Sequence, residues 1–409
     1  MPATWLTTFR WNRPGGADRA TMRVVHVTPY FAPAFCYGGP PRTVLGLCQG
    51  LQAAGVDVEV VTTTANGGED LPASSAEGER FQGVPVHYAP RAFPRRLFGA
   101  RMRAPLSAAL ARADLCHIHS IWNVPEWSAA RLARRHNVPY VLSPRGMLQP
   151  AAMARHRTLK ALAYWGTVRS HLASAAFLHA TSPAEARQLT AFGPPVISIA
   201  NGVAPVSVTP ADVRDLRDRA DIDTDDEVVT FLGRLHPIKR LDLLAEAFAI
   251  LRRVRPRARL LIAGPDEGGH RRQIEPLFAE TAAAIRWLGA LDGAAKWALL
   301  AASRTLVQCS DSESFGMNVA EALAAGLPVV VTDRGPWDQV ESVGCGYAVP
   351  HDPRSIADAV VRLLDDPAEA RAMGARGKAW AERMFAWDAI GRSMRDAYQC
   401  ALDRVRVRA

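Results

Sequence analysis

Residues 22–28, Met-Arg-Val-Val-His-Val-Thr, form a short run rich in β-branched side chains that ends at Pro29. This composition predicts a buried strand. A glycine-containing loop follows, then a helical pattern over 42–54 that stops at Gly55, and then a second apolar run over 56–62. A strand, a helix and a strand within about forty residues predict a parallel βαβ unit.

The alternation of apolar runs and helical patterns continues, and it restarts at 228–233 after a segment, 206–227, that is rich in Asp and Arg. That segment has no long apolar run and predicts a linker with a short helix. Two such series predict an α/β fold: two Rossmann-like, doubly wound parallel-sheet domains that face each other across a cleft. The other predicted strands lie at 114–119, 139–143, 176–181, 195–200, 259–264, 285–288, 305–308, 328–332 and 346–349.

The length of the chain, 409 residues, also favours two domains, because single hydrophobic cores rarely grow to that size. We expect a flexible leader at 1–21, an N-terminal Rossmann-like domain at 22–205 and a C-terminal Rossmann-like domain at 206–380. A helix at 381–409 is expected to cross back to the N-terminal domain. The leader lacks the apolar core of a secretory signal, and no apolar run is long enough to predict a membrane span.

Composition limits the class of protein. Hydrophobic residues make up 48% and charged residues 22% of the chain, which is typical of a globular protein and excludes intrinsic disorder. The six cysteines show no Cys-x-x-Cys spacing, so they predict core thiols in a reducing compartment and no structural zinc site. The net charge of +9 has two interpretations: a soluble arginine-rich surface, or attraction to phosphates on a nucleotide, a lipid head group or an anionic membrane.

The most informative chemical motif is Glu-Ser-Phe-Gly-Met-Asn-Val-Ala-Glu at 313–321. A helix is predicted to start near Phe315 or Gly316, and the unpaired N–H groups of a helix start attract phosphate or sugar hydroxyls. Glu313 lies in the loop before that helix, whereas Glu321 lies on it and can accept two hydrogen bonds from a vicinal diol such as ribose. The alternative is a solvated helix with incidental acids, and the Ala-Ala-Gly-Leu-Pro-Val-Val that follows argues against it.

A second motif, Gly-Arg-Leu-His-Pro-Ile-Lys at 233–239, directly follows a predicted strand. Arg234 and Lys239 can converge there on a diphosphate, Arg through a bidentate fork and Lys as a point charge. Such cations supply the positive charge that other enzymes obtain from a metal ion. No Asp-x-Asp pair suggests a metal-bridged diphosphate, since Asp223 and Asp225 lie in the acidic linker and are read as solvated. The alternative for the two cations is an ordinary surface pair.

These two motifs make the chain resemble glycosyltransferase family 4, the large retaining family with the GT-B fold, over roughly residues 22–398. The resemblance implies a retaining, metal-independent hexosyltransferase with an acceptor-binding N-terminal domain and a nucleotide-sugar-binding C-terminal domain. It implies that Arg234 and Lys239 hold the diphosphate, Glu313 meets the transferred sugar, and Glu321 meets the ribose. The implied catalytic residues are Arg234, Lys239, Glu313 and His119, and the implied donor-binding residues are Gly38, Gly39, Gly233, Phe315, Gly316, Met317, Asn318 and Glu321.

In the first half, the predicted strand at 114–119 resembles the strand that ends in a sugar-facing histidine in this family, and the matching residue is His119. A lone histidine at a strand end is more often a satisfied core residue, but the family context favours a contact between His119 and a sugar hydroxyl. His117 is expected to point to the other face of the sheet or to be structural.

Two further features of the first half match the family. Gly38 and Gly39 match the glycine loop after the first strand, where the backbone can approach a diphosphate or acceptor closely; an ordinary tight turn is the alternative. Ser-Pro-Arg-Gly-Met at 143–147 resembles a subset that builds bacterial surface polysaccharides, and Arg145 is expected to contact the acceptor or the donor phosphates.

Two stretches interleave basic and aromatic residues, one at 91–103 and one at 155–169. Such a mixture suits an interfacial helix on anionic lipid, and a solvated basic face with core aromatics is an equally good interpretation. The first interpretation would dock the N-terminal domain on a membrane, where it would receive a lipid-linked acceptor.

The expected co-substrate is a UDP-sugar or GDP-sugar, with no cofactor, no metal and no nucleic-acid partner; the chain has neither a Walker loop nor a Gly-x-Gly-x-x-Gly motif. The expected acceptor is a glycan or a polyprenyl-linked glycan in polysaccharide biosynthesis, and the expected location is the cytoplasm, with peripheral contact to the inner face of the plasma membrane as an additional hypothesis. The alternatives are a nucleotide-sugar epimerase or a sugar phosphorylase of the same fold, or a sugar-nucleotide-binding scaffold without turnover.

Overall fold

The structure is a computed structural model that describes residues 21–75, 77–91, 100–154 and 156–408. All but the last residue of the predicted leader, 1–21, lies outside the described residues. The described chain divides into two compact units. The first unit contains the residues up to Gly202 together with 386–408, and the second contains Val203–Phe385.

The first unit is built on a sheet of eight strands in the order β10-β9-β8-β7-β1-β2-β6-β5. All neighbouring strands run parallel except β5, which pairs with β6 in the antiparallel direction. The two-residue strands β3 and β4 form a separate antiparallel hairpin. The strands are β1 Arg23–Val27, β2 Asp57–Thr63, β3 Ala65–Asn66, β4 Glu69–Asp70, β5 Glu79–Phe81, β6 Val84–Ala89, β7 Leu115–His119, β8 Tyr140–Ser143, β9 Phe177–Ala180 and β10 Val196–Ser198.

The helices of the first unit connect these strands, and the last of them returns from the end of the chain. Every residue of β7, β8 and β9 is buried, as expected for central parallel strands covered on both faces. The helices are α1 Gly39–Ala53, α2 Arg103–Leu110, α3 Val124–Arg135, α4 Pro150–Ala154, α5 Arg157–Ala163, a π-helix Tyr164–Val168, α6 Arg169–Ala173, α7 Pro183–Leu189 and the C-terminal α16 Trp387–Arg408.

The second unit contains a six-stranded parallel sheet in the order β13-β12-β11-β14-β15-β16. Its strands are β11 Glu227–Leu232, β12 Ala258–Ala263, β13 Ile285–Gly289, β14 Thr305–Gln308, β15 Val329–Thr332 and β16 Gly346–Val349. Its helices are α8 Pro210–Arg219, α9 Leu241–Val254, α10 His270–Ile274, α11 Gly293–Ala302, α12 Met317–Ala324, α13 Gln339–Val343, α14 Pro353–Asp365 and α15 Pro367–Met384. The two parallel sheets with crossover helices confirm the predicted pair of Rossmann-like domains.

Helix α16 packs closely on α1 because glycines face each other where the helices meet. A Cβ atom added to Gly391 would overlap the carbonyl oxygen of Gly50, and one added to Gly50 would overlap the carbonyl oxygen of Trp387. The Trp387 indole also fills the space beside Gly46 and Gly202. Gly50 and Gly391 therefore need to be glycine because backbone approaches them closely, and Gly46 and Gly202 because the indole ring occupies the space of a side chain.

We predict that Gly391→Ala lowers the free energy of unfolding by about 1–3 kcal/mol, because its methyl group would push α16 away from Gly50. Urea unfolding monitored by circular dichroism measures the change. The matched control is Gly68→Ala, since a Cβ there meets no atom within 4 Å. Equal stability of the two variants would contradict this account of the helix contact.

Candidate active site

The loop after β11 in the second unit is held close to the ends of its neighbouring strands. A Cβ at Gly264, whose φ is +148°, would collide with the carbonyl oxygen of Gly233. The backbone N–H of Asp311 donates to the carbonyl of Ile238 at 2.9 Å, which ties this loop to the loop after β14. The aliphatic stem of Lys239 lies against Gly233. The geometry therefore brings the two sequence motifs of this unit together at the carboxyl ends of β11 and β14.

Lys239 and Glu313 form an ion pair, with side chains only 14% and 13% exposed. The same carboxylate oxygen of Glu313 also accepts hydrogen bonds from the Ser310 hydroxyl at 2.9 Å and the Gln308 amide at 3.2 Å. Gln308 in turn donates to the Asn318 side chain at 2.9 Å. The carboxylate is thus fixed in position by several donors in a partly desolvated site, where electrostatic interactions are strong.

Helix α12 begins immediately after Gly316, which has a left-handed backbone conformation with φ +84°. A Cβ at Gly316 would meet the Trp337 indole nitrogen at 2.7 Å, so only glycine fits this turn. The Phe315 side chain is buried against Trp337 and Phe385, and its carbonyl accepts from the Trp337 indole. The start of α12, predicted near Phe315 or Gly316, lies at Met317, and the structure anchors it through apolar packing.

Glu321 lies on α12 and forms an ion pair with Lys296 of α11, with 2.6 Å between Lys296 Nζ and Glu321 Oε1. Both side chains are 14% exposed. Lys296 was not predicted as a site residue, because nothing in the local pattern of α11 distinguishes it from a surface lysine. The pairing of Lys296 with Glu321 is visible only in three dimensions.

Arg234 lies on the same loop as Lys239 but pairs with a different acid. Its guanidinium contacts the Glu267 carboxylate, and both side chains are substantially exposed, at 46% and 38%. The two cations that the sequence places together are therefore engaged separately, Lys239 with Glu313 and Arg234 with Glu267. An exposed ion pair of this kind is weak, so Arg234 can exchange its partner at little energetic cost.

In the first unit, Gly38 caps the N-terminus of α1 with φ +81° and ψ −134°, a conformation that requires glycine. Gly39 is the first residue of the helix, and two prolines follow it. The predicted glycine loop is therefore a strand-to-helix turn that exposes a helix N-terminus.

Four buried histidines gather near the carboxyl ends of β1, β7, β8 and β9, and two hydrogen-bonded chains run through them. In the first chain the carbonyl of Ile199 accepts from Nε2 of His179 at 2.9 Å, so Nδ1 of His179 is left to accept from the Ser143 hydroxyl at 2.7 Å. Ser143 then accepts from Nε2 of His117 at 2.6 Å, and Nδ1 of His117 accepts from the Tyr398 hydroxyl at 2.5 Å. Because the Ile199 carbonyl can only accept, it fixes which group donates in every hydrogen bond of this chain, as far as Tyr398 on helix α16.

In the second chain Arg145 can only donate, and it donates to Nδ1 of His119 at 3.1 Å. Nε2 of His119 therefore carries a proton and donates to Nδ1 of His26 at 2.9 Å. This assignment leaves a protonated Nε2 on His26, which is buried and has no hydrogen-bond partner among the described residues. His119 is 1% exposed and its two ring nitrogens are both engaged within this network.

The expectation that His117 points to the other face of the sheet was wrong. The rings of His117 and His119 lie on the same face with centroids 4.1 Å apart. The physical reason is the two-residue period of a strand, which places residues 117 and 119 on one face. The alternative expectation, that His117 is structural, agrees with the two buried hydrogen bonds of its ring.

The ring nitrogens of His26, His117 and His119 lie close enough together to hold a metal ion. Their hydrogen bonds do not suit one, because both nitrogens of His117 and both of His119 are already occupied. The nearby guanidinium of Arg145 would also repel a cation. We therefore treat the cluster as a hydrogen-bond network.

Arg145 is a half-buried cation whose hydrogen-bond partners are neutral. Besides His119, its guanidinium donates to the Thr43 hydroxyl at 2.9 Å and to the Asn201 side-chain oxygen at 3.5 Å. Among the described residues, no carboxylate lies within ion-pair distance of it. The nearby Glu185 instead accepts hydrogen bonds from the backbone of Gly146 and Thr181. Burial lowers the pKa of Arg145 to about 10, so it stays charged at neutral pH.

Comparison with protein families extends these observations. The family model "Glycosyl transferase 4-like domain" matches residues 38–202, and "Glycosyl transferases group 1" matches residues 212–380. A D-inositol 3-phosphate glycosyltransferase of Kineococcus radiotolerans is 30% identical over 95% of this chain and 97% of that protein. A GDP-mannose-dependent monoacylated alpha-(1-6)-phosphatidylinositol monomannoside mannosyltransferase of Corynebacterium glutamicum is 29% identical, over 47% of this chain and 52% of that protein.

Solved structures with the same fold include Anabaena HepE in complex with UDP and glucose, with a TM-score of 0.70 at 18% identity, covering 93% of this chain and all of that one. Sucrose-phosphate synthase from Thermosynechococcus elongatus also has a TM-score of 0.70, at 21% identity, covering 94% of this chain and 100% of that one. Fold and sequence together define a glycosyltransferase with the GT-B fold. Within that class, the chain belongs to glycosyltransferase family 4, as its motifs indicated.

The buried histidines predict how stability depends on pH. Burial, and next the charge of Arg145, lower the pKa of His26 to about 3, and burial also lowers that of His179 to about 3. Above the unfolded-state pKa of about 6.5, these rings are neutral in both the folded and the unfolded chain. Below that pH only the unfolded chain takes up protons on them, so the free energy of unfolding falls as the pH falls. For each ring, acidification from pH 7.5 to pH 5.5 is expected to lower the free energy of unfolding by about 1.4 kcal/mol.

Urea unfolding of the wild type and of His179→Gln at these two pH values measures the contribution of one ring. The loss of stability on acidification should be smaller in the variant by about 1.4 kcal/mol. An identical pH dependence in both proteins would show that His179 titrates normally in the folded state.

Proposed function

We propose that this glycosyltransferase transfers a hexose from a nucleoside-diphosphate sugar to a glycan or lipid-linked acceptor, with retention of anomeric configuration and without a metal ion. The observation that carries the proposal is the partly desolvated pair of Lys239 and Glu313 beside the start of α12. A cation, a fixed carboxylate and outward-facing N–H groups together suit a sugar diphosphate. The donor base is uracil or guanine, and the product belongs to polysaccharide biosynthesis.

In the proposed reaction the acceptor hydroxyl attacks the anomeric carbon on the face from which the diphosphate departs. The bond between the anomeric carbon and the phosphate oxygen breaks, a bond to the acceptor oxygen forms, and the acceptor proton moves to the leaving phosphate. Lys239, Arg234 and the N–H groups at 315–318 stabilise the developing negative charge. Glu313 orients the transferred sugar, Glu321 binds the ribose, and Gly233 lets the backbone approach the diphosphate.

The names of related proteins support the donor class. HepE was solved with UDP and glucose, and the Corynebacterium mannosyltransferase is named as GDP-mannose-dependent. An epimerase would change the sugar of the nucleotide without an acceptor, and a phosphorylase would require inorganic phosphate. Measuring release of nucleoside diphosphate from UDP- and GDP-sugars, with and without membrane extract, separates these activities from acceptor-dependent transfer and from a non-catalytic scaffold.

We propose that Arg145 binds a phosphate of the acceptor. The half-buried guanidinium of Arg145 donates to the neutral side chains of Thr43, Asn201 and His119 and forms no ion pair with a described residue, since Glu185 interacts with its charge only from beyond ion-pair distance. A partly desolvated charge without a close counterion is unfavourable. A phosphate from the substrate would supply the missing negative charge. This role fits the acceptor class, because lipid-linked glycans carry a diphosphate. His119, whose two ring nitrogens are engaged with Arg145 and His26, would then hold the Arg145 guanidinium in position.

The proposed donor site predicts that Lys239→Ala and Glu313→Ala each lower the rate of transfer by at least about a hundredfold while the protein stays folded. Transfer is measured as acceptor-dependent release of nucleoside diphosphate, and folding by thermal unfolding. Lys378→Ala and Glu382→Ala, which change the same residue types at exposed positions of the same unit, are the matched controls. Normal turnover by Lys239→Ala or Glu313→Ala would refute the site.

The proposed role of Arg145 predicts that Arg145→Gln raises the KM for a prenyl-diphosphate-linked acceptor by at least about tenfold, with donor binding unchanged. Arg145→Lys should recover part of the loss, because it retains the charge but not the planar fork. Thermal-shift titration with UDP and GDP checks the donor site separately. An unchanged KM for the phosphorylated acceptor would exclude this role.

We further propose that the enzyme works in the cytoplasm in peripheral contact with the inner face of the plasma membrane. Among the described residues, no helix is both long and apolar enough to cross a bilayer. The proposal is supported by the basic and aromatic stretch at 155–169; most of the other stretch, 91–103, lies outside the described residues. Of its described part, Met102 is buried in the core and Arg91 pairs with Asp70, so these two residues are not available to lipid.

A further inference from the structure

Residues 127–184 contain no Asp or Glu, although they make up a substantial part of the first unit. The same segment carries eight cations: Arg131, Arg134, Arg135, Arg145, Arg155, Arg157, Lys160 and Arg169. A charged surface normally intersperses both signs, so a long acid-free segment creates a local positive potential that is not neutralised from within.

One helical run of this segment exposes large apolar side chains to solvent. The run consists of α5, the π-helix Tyr164–Val168 and α6. Leu159, Leu162 and Trp165 follow each other at intervals of three residues and are 69%, 74% and 69% exposed. That spacing places them on one side of the helix, whereas Val168 and Leu172 are buried in the core. A group of three such side chains in water is unusual for a soluble surface.

A pocket of about 460 Å³ adjoins this helical run, where the C-terminal part of α3 meets residues 166–171. Arg131, Arg134 and Arg135 line it, and none of the three forms an ion pair with any described residue. His171 also lines the pocket; burial, followed by the charges of Arg131 and Arg134, lowers its pKa to about 4, so it adds no charge at neutral pH. Three exposed arginines without a described ion-pair partner therefore line one small pocket.

Trp165 connects the apolar side chains to the basic ones. The Arg169 guanidinium lies over the Trp165 ring, 5.0 Å from its centroid. Indole rings prefer the region between lipid head groups and acyl chains, and arginine beside them contacts lipid phosphates. A protein partner for this surface would need a matching acidic and apolar face, whereas an anionic bilayer supplies both features at once.

We propose that this surface, formed by Leu159, Leu162, Trp165 and the pocket of Arg131, Arg134 and Arg135, docks on an anionic bilayer. The three apolar side chains enter the outermost acyl region, and the pocket holds the phosphate of an anionic lipid head group. The inference deepens the proposed membrane contact by naming its surface and lipid class. It does not depend on transfer chemistry, because the test needs neither donor nor acceptor.

The test is co-sedimentation of the full-length protein with extruded vesicles at about 0.15 M salt. Vesicles of phosphatidylcholine with about one third phosphatidylglycerol are compared with vesicles of phosphatidylcholine alone. The wild type should bind the anionic vesicles. The double variant Leu162→Ser with Trp165→Ser and the triple variant of Arg131, Arg134 and Arg135 to Gln should each weaken that binding by at least about tenfold.

Matched controls come from the second unit. Val254→Ser with Leu277→Ser removes two apolar side chains that are 62% and 54% exposed. Changing Arg253, Arg257 and Arg354 to Gln removes three exposed charges. Both controls should bind vesicles like the wild type. Thermal unfolding and nucleotide-induced thermal shifts confirm that all variants stay folded.

Three outcomes would overturn the proposal. The first is a wild-type protein that does not bind anionic vesicles. The second is an equal loss of vesicle binding in the pocket variant and in the charge control. The third is a pocket variant that binds vesicles normally but loses stabilisation by inorganic phosphate, which would indicate a site for free phosphate. Acceptor-dependent transfer in solution would persist in each case, so failure of the docking surface is distinguishable from failure of the proposed activity.

Discussion

The partly desolvated ion pair between Lys239 and Glu313 is the constraint on which the second unit's site depends. It joins a loop after β11 to the loop before α12, so two segments more than seventy residues apart share one set of hydrogen bonds. Ser310 and Gln308 donate hydrogen bonds to the same carboxylate oxygen of Glu313. Because the pair is shielded from water, removing one partner leaves the charge of the other uncompensated, and this costs more free energy than it would at an exposed position. In the proposed donor site, a phosphate would therefore compete with the fixed Glu313 carboxylate for Lys239, whereas the exposed pair of Arg234 with Glu267 would cost little to break.

The first unit contains a buried polar network with a single strong charge, that of Arg145. Its buried polar cluster consists of neutral histidines, a serine and a tyrosine, whose bond directions follow from one carbonyl acceptor and one arginine donor. Burial keeps these imidazoles neutral, so Arg145 is the single strong charge in the network. Tyr398 connects the cluster to α16, and the glycine contacts between α16 and α1 hold that helix in place. The end of the chain thereby supports residues at the carboxyl ends of the first sheet.

The predicted strands were recognisable because buried parallel strands are continuous apolar runs. Strand β6, Val84–Ala89, was missed: its residues Pro85 and His87 interrupt the apolar pattern, and the antiparallel β5 contains mostly polar residues. The helix start after Gly316 was predictable, since a glycine before a helical pattern marks such a turn. The partner of Glu321 was not, because Lys296 lies on another helix and the pairing depends on tertiary packing. His26 could have been found: β1 pairs with β7 in a parallel sheet, and residues 26 and 117 are register partners.

The net charge of +9 left two interpretations open, a soluble arginine-rich surface and attraction to phosphates or an anionic membrane, and the distribution of acids along the first unit bears on that choice. In the second unit many arginines meet acids, as in the pairs Arg255–Glu227, Arg257–Asp225, Arg259–Asp226, Arg286–Asp221 and Arg376–Glu369. In the first unit Arg23, Arg91 and Arg112 also pair with acids. Residues 127–184 of the first unit instead concentrate cations without any acid, and exposed Leu159, Leu162 and Trp165 lie in the same segment. Segregation of charge, combined with exposed apolar side chains, supports the proposed docking on an anionic and partly apolar surface over binding of a soluble phosphate.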